Sequence, residues 1–273
     1  MARTWRHATI SGAGSGIGHG LAVRLLKRGT RVSVFDLAVS AARAEALDAA
    51  AAHAGVGWQF HQCDITDEQG VAAAVASAVA ACGPPDLAIN SAGVGSNEAF
   101  ADISLATFRR VLEINLVGSR NFAAAILPHM PVGSRLALIA SLAGITSNYG
   151  YAAYGASKFG VIGLATTLRM EYEPLGINVT VVCPPEVATP MVEKEHATGN
   201  PIGLAVKQIA GTIGVDQACD GIMAGIDAGR WMVIPGFKGK LTAFVAQRMP
   251  GVFYAVTSRV IRKVMRQQGK RVV

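Results

Sequence analysis

The sequence predicts an α/β fold, a single doubly wound domain with a seven-stranded parallel sheet and helices on both faces. Three observations carry this expectation. Short β-branched runs alternate with longer Ala-rich stretches of helical spacing, the pattern of successive βαβ units. Several of the short runs are almost continuously apolar, as strands are when both sheet faces are covered. The composition agrees: 273 residues, 51% apolar, 6% aromatic and 31 glycines. That is chain enough for one large core, and nothing like a disordered segment.

Taken in order, strands are expected at residues 8–11, 31–35, 56–62, 87–90, 135–141, 178–183 and 231–234. Helices are expected between them, at 18–29, 38–53, 66–82, 105–130, 154–175 and 216–228. No Pro/Gly/Ser linker or internal repeat divides the chain. The expected organisation is therefore one domain over residues 1–239 and a basic helical extension over 240–273. Regular structure is weakest at 184–200 and 235–239. A long irregular loop within a compact domain is more often functional than accidental.

The net charge of +7 is unevenly placed. From Ala228 onward there are ten basic residues and no acidic one, leaving 15 basic against 18 acidic before it. The body is thus slightly acidic and gives no reason to expect nucleic acid as a partner. Cys63, Cys82, Cys183 and Cys219 are scattered, with no CxxC pair and no His at metal spacing. No metal is expected, and reduced thiols point to a cytoplasmic setting. The first ten residues hold Arg3, Arg6 and His7 and lack the apolar stretch of a secretory leader.

The first strand runs into Ser11-Gly12-Ala13-Gly14-Ser15-Gly16-Ile17-Gly18, and an apolar helix follows at once. Glycines there allow a tight turn and close approach to a pyrophosphate, and the helix start offers free N–H groups and a positive dipole end. This is the expected entry to a Rossmann dinucleotide site; the competing reading is an ordinary glycine turn. Asp36 closes the second strand, where a carboxylate accepts hydrogen bonds from the adenosine ribose and repels a 2′-phosphate. No cation stands at Ser15 or Leu37 to offset it, so NAD(H) is favoured over NADP(H). The competing reading of Asp36 is an ordinary helix cap.

Tyr154-Gly155-Ala156-Ser157-Lys158 opens a helical stretch, and the i, i+4 spacing places phenol and ammonium on one face. A free tyrosine, with a pKa of about 10, needs a neighbouring cation to serve as a base near neutrality. Lys158 is placed to be that cation. Ser141 ends a strand ahead of Tyr154, where a hydroxyl can hold a substrate oxygen against the phenol. Each residue alone has a commonplace reading: a solvated helix face, or a turn former. Their order on one alternating scaffold favours proton transfer.

With Gly12-x-x-x-Gly16-x-Gly18, Asn90-Ser91-Ala92-Gly93, Asn115, Ser141 and Tyr154-x-x-x-Lys158 in place, the chain resembles the short-chain dehydrogenase/reductase family in its compact single-domain branch. The resemblance covers about residues 6 to 236. It implies hydride transfer between nicotinamide and a secondary alcohol or ketone, with Asn115, Ser141, Tyr154 and Lys158 as the catalytic set. It implies cofactor contacts from Gly12, Ser15, Gly16, Ile17, Gly18, Asp36, Asp64, Ile65, Asn90, Ala92, Gly93, Tyr154, Lys158, Pro184, Val187 and Thr189. In that reading Asp64 meets the adenine amino group, Asn115 holds a water linked to Lys158, and Val187 and Thr189 hold the carboxamide. A homodimer or homotetramer is implied as well.

Two departures stand out. Asn90-Ser91 replaces the usual pair of asparagines, and Pro184-Pro185-Glu186 replaces the usual Pro-Gly. Proline cannot enter a left-handed turn, so the loop over the nicotinamide must run differently. That loop and the basic extension are similar to those of 3-ketosphinganine reductases. Residues 190–215 are the expected substrate lid, with Met191, Val192, Ile202, Leu204, Val206 and Ile209 giving an apolar wall suited to a lipid, steroid or 3-oxoacyl substrate.

In the extension, Phe253, Val256, Val260 and Val264 share one helical face, with Arg259, Arg262, Lys263 and Arg266 largely elsewhere. Three readings stand for it: packing on its own body, a subunit contact, or peripheral contact with an anionic membrane. For the whole chain the alternative to an enzyme is a nucleotide-binding regulatory or scaffold protein without turnover.

Overall fold

Seven strands find one another in parallel register. The computed structural model describes residues 3–269; residues 1–2 and 270–273, the ends of the expected domain and of the expected extension, lie outside the described residues. The strands β1 (His7–Ser11), β2 (Arg31–Asp36), β3 (Trp58–Gln62), β4 (Leu87–Asn90), β5 (Arg135–Ile139), β6 (Asn178–Val182) and β9 (Met232–Val233) form one sheet in the order β3-β2-β1-β4-β5-β6-β9. Every pairing is parallel. This is the doubly wound sheet the sequence predicts. Two further strands of two residues, β7 (Glu186–Val187) and β8 (Thr212–Ile213), pair beside it.

Helices cover both faces. On one, α1 (Gly16–Lys27), α2 (Ala41–Ala54) and α10 (Val215–Asp227) bring Leu21, Leu25, Leu47, Ile222 and Ile226 onto Ile10, Val32 and Val34. On the other, α3 (Glu68–Cys82), α5 (Gly118–Ile126) and α7 (Ala152–Tyr172) bring Val71, Phe122, Ile126 and Val161 onto Leu136, Leu138 and Val181. Each such fully buried side chain contributes on the order of 2 kcal/mol, and together they fix the strand ends that carry the site.

The stretch expected as one helix over 105–130 is interrupted. It divides into α4 (Leu105–Leu112), a π-helical turn at Glu113–Val117 and α5, before a 3₁₀ turn at Leu127–His129. The π turn holds Asn115, which is fully buried. Its side-chain Nδ2 donates to Val94 O and to Ser157 Oγ, both at 3.0 Å, and its Oδ1 accepts from Val94 N at 2.8 Å. That inward bonding gives the wider turn a reason to persist.

The segments expected to be irregular are largely helical. After the short α6 (Ala143–Thr146), α8 (Pro190–Thr198) and α9 (Pro201–Lys207) form the lid region, and α11 (Phe237–Arg248) begins within the second weak stretch. Both lid helices carry Pro in the first turn behind Thr189 and Asn200, a start signal readable in the sequence. Pro184-Pro185 leads straight into β7.

The final helix, α12 (Pro250–Gln267), packs against α9 and α11. Its inner face is Phe253, Thr257, Val260 and Val264, whereas Val256 points outward at 42% exposure. Val256 therefore does not belong to the face the sequence assigns it. Thr257 takes the place, its hydroxyl bonded to Phe253 O within the helix. Among the described residues no helix is long and apolar enough to cross a membrane.

Candidate active site

The site opens where the sheet order reverses, at the C-terminal ends of β1 and β4, the usual ligand position in such sheets. A cavity of about 690 Å³ runs from Asp36 and Asp64 at one end to the lid helices at the other. Two glycines set the nucleotide end. Gly12 has φ +65, and a Cβ there would lie 2.5 Å from Ala92 N; a Cβ on Gly18 would lie 2.2 Å from Gly12 O. Neither position admits a larger residue without moving the turn.

The turn delivers α1 with no side-chain cap at Ser15 and no acidic residue in its first turn. The first amides of the helix are thus left for a ligand, with the positive end of the dipole behind them. Asp36 accepts hydrogen bonds from Gly14 N at 2.8 Å and Leu37 N at 2.7 Å while lining the cavity. Asp64 caps its own turn through Thr66 N at 2.9 Å and Thr66 Oγ1 at 2.8 Å. The residues present fit the adenosine diphosphate group of a dinucleotide.

Most of the sequence-predicted positions meet here. Gly12, Ser15, Gly16, Ile17, Asp36, Asp64, Ile65, Ala92 and Gly93 line the nucleotide side. Ser141, Tyr154, Lys158, Pro184, Val187 and Thr189 line the middle. Gly18, Asn90 and Asn115 stand behind the wall. Asn90 donates to Ser119 Oγ at 2.7 Å and accepts from the Ser11 hydroxyl, tying β1, β4 and α5 together. Asn115 spends its side-chain amide on Val94 and Ser157.

At the centre, Ser141 stands just beyond β5, its Oγ accepting from Ala143 N at 3.1 Å. Burial pushes the Tyr154 phenol up to about 12; the Ser141 hydroxyl lowers it and the charge of Glu195 raises it further. Lys158 is 5% exposed, and burial pushes its ammonium down to about 8. Its Nζ donates to Ile139 O at 3.0 Å and lies 5.7 Å from the Tyr154 ring centre. The lysine thus stands over the face of the Tyr154 ring.

Several residues of the wall escape a linear reading. Tyr151 stacks edge-on against Tyr154 with ring centres 5.3 Å apart. Glu186, Glu195 and Lys207 bring charge into the lid, and Thr242 and Phe253 bring the C-terminal helices into the wall. The only local signals were charged positions within an otherwise apolar lid and a tyrosine three residues before Tyr154.

Residues 6–200 match the short chain dehydrogenase family. The chain belongs to that family. Over 94% of this short chain dehydrogenase and 78% of the other protein, it is 32% identical to a 3-dehydrosphinganine reductase of Arabidopsis thaliana. A crystal structure of a short chain dehydrogenase from Mycobacterium paratuberculosis bound to NAD superposes with a TM-score of 0.75 at 25% identity, covering 86% of this chain and 98% of that one. One from Burkholderia cenocepacia in complex with NADP gives the same TM-score, identity and coverage. The similarity to a 3-dehydrosphinganine reductase agrees with the resemblance read from the Pro-Pro-Glu loop and the basic extension. A nicotinamide cofactor and an alcohol or ketone substrate follow from the family; the choice between NAD and NADP does not.

Proposed function

We propose that this protein is an NAD(H)-dependent reductase of the 3-oxo group in a long-chain amino alcohol such as 3-dehydrosphinganine. The observation that supports it best is the placing of Ser141 and Tyr154 on a cavity whose far wall is apolar, formed by Leu142, Met191, Val192, Val206, Ile209 and Phe253. Asp36 at the adenosine end, whose carboxylate would repel a 2′-phosphate, favours NAD(H). The basic extension serves as cavity wall through Phe253, and a cytoplasmic homo-oligomer is the expected form.

The nicotinamide supplies the hydride. Ser141 Oγ holds the carbonyl oxygen, and the Tyr154 phenol gives it a proton. Burial raises the phenol above its ordinary value, so at neutral pH it is held as the proton donor that carbonyl reduction needs. Lys158, anchored on Ile139 O, fixes the ring from below and supplies a positive field that favours proton release. The lid and α12 exclude water from the reacting carbon.

The test is NADH absorbance with 3-dehydrosphinganine, a steroid ketone and a short 3-oxo ester. The expected result is a kcat/KM for the first at least tenfold above the others. Steady absorbance with every ketone would instead support the nucleotide-binding scaffold.

A further inference from the structure

Lys207 is shared between two carboxylates. Its Nζ lies 2.8 Å from Glu186 Oε2 and 2.6 Å from Glu195 Oε2. The Glu186 side chain is completely covered and saturated: it also accepts from His196 Nε2 at 3.0 Å, Gln208 Nε2 at 3.3 Å and the Thr212 hydroxyl. Burial opposes its charge, but the hydrogen bonds from Lys207, Thr212 and His196 outweigh it and hold the carboxyl at about 2.

Glu195 is differently placed. Its Oε1 accepts from the Tyr151 hydroxyl and from Asn97 Nδ2 at 3.1 Å, while its Oε2 has Lys207 alone. Its side chain is 11% exposed and lines the cavity. Two carboxylates set against one ammonium leave one negative charge in this wall whenever His196 is neutral. In a largely apolar enclosure such a charge acts strongly on whatever binds beside it.

A second polar residue belongs to the same wall. Ser96 is only 9% exposed and lines the cavity, and its hydroxyl, itself covered, has no hydrogen-bond partner among the described residues. A buried hydroxyl left without a partner costs free energy that a ligand can recover. The other charged residues of the wall lie elsewhere: Asp36 and Asp64 at the adenosine end, Lys158 beneath Tyr154, and Arg110 and Glu113 on and just beyond α4.

We infer that Glu195, with Tyr151 and Ser96, forms a subsite for an ammonium group and its neighbouring hydroxyl on the carbon chain beside the reacting carbonyl. The Tyr151 ring sets the separation, since its hydroxyl meets Glu195 while its ring packs on Tyr154. An ammonium on the carbon next to the carbonyl would supply the missing positive charge and use the free capacity of Oε2. A primary hydroxyl one carbon further on would satisfy Ser96 once its hydroxyl turns into the cavity. The inference rests on the proposed substrate class and names the side chains that read it.

The test separates head-group recognition from turnover. Calorimetry of the full chain with NAD compares a long-chain 2-amino alcohol with the same alcohol lacking the amine, for wild type and for Glu195→Gln. Kinetics compare the matching 3-oxo compounds with NADH. The expected result is wild-type preference for the amine of at least tenfold in Kd. The ratio of kcat/KM for amine over deaminated ketone should fall at least tenfold in the variant. Wild-type protein that binds both alcohols equally would overturn the subsite, whether or not the variant folds. Equal losses for both ketones in Glu195→Gln would also overturn it, leaving Glu195 as a lid brace. Amine preference in binding, without reduction of either ketone, would uphold the subsite and overturn the proposed reaction.

Discussion

The two ends of the cavity are built by different means. The nucleotide end is main chain: glycines at the ends of strands, open amides at the start of α1, and Asp36 bonded to two backbone N–H groups. The substrate end is side chain: a lid held to the body by Lys207 between two carboxylates, backed by α12. The first is fixed by sterics and tolerates almost no change. The second is fixed by charge, so it responds to pH and to substitution. A protein so divided can keep one cofactor while its substrate range shifts.

The largest effect tests the junction between the two ends. Tyr154→Phe should lower kcat at least a thousandfold, about 4 kcal/mol, while the Kd for NADH measured by fluorescence changes less than twofold. Loss of NADH binding would show that the phenol belongs to the nucleotide end instead.

Next comes the lid. Lys207→Met strands two buried carboxylates and should cost about 3 kcal/mol at neutral pH, read as a fall in Tm and faster proteolysis after Lys194. The sign with pH follows from Glu186. Its carboxyl sits at about 2, below the usual 4.5. The stabilisation it gives the wild type is complete above about pH 4.5 and is lost as pH falls toward 2. The deficit of the variant should therefore shrink as the pH is lowered through the carboxylate range. A deficit independent of pH would mean that the lid is held by packing.

A smaller change is expected at Asp36. Asp36→Ala should narrow the preference for NADH over NADPH by about tenfold, or about 1.4 kcal/mol, in paired titrations. Wild-type preference for NADPH would reverse the reading of that residue.

The smallest effect concerns the outer face of α12. Val256→Asp should alter stability by less than about 0.5 kcal/mol, because the side chain faces solvent. Co-sedimentation with anionic vesicles at low and high salt then decides whether this basic surface has a lipid partner. Binding that persists unchanged in a chain cut after residue 239 would rule the extension out as the contact.

The sequence was legible where structure depends on neighbours along the chain. The strands, the glycine turn, Asp36, Ser141 and the Tyr154–Lys158 pair each need only local spacing. The lid cluster was hidden because Asn97 and Glu195 stand 98 residues apart and Glu186 and Thr212 stand 26 apart. Charges in a lid read as solvated until their partners are known. The outward turn of Val256 was hidden for a related reason: apolar spacing marks a face but does not say which residue meets α9. The π turn was invisible because residues 105–130 read as one unbroken helical pattern.

That turn has a consequence best stated as an angle. Each residue of an α-helix advances the side chain by about 100°, and a π turn fits one extra residue into a single loop of backbone. Everything from Gly118 onward is thereby shifted in phase against α4, with Asn115, Ser119 and Phe122 buried behind the wall. A deletion of Leu116 would restore the ordinary phase. It would swing Asn115 away from Val94 and leave Ser119 out of reach of Asn90, although no residue of the cavity wall had been changed.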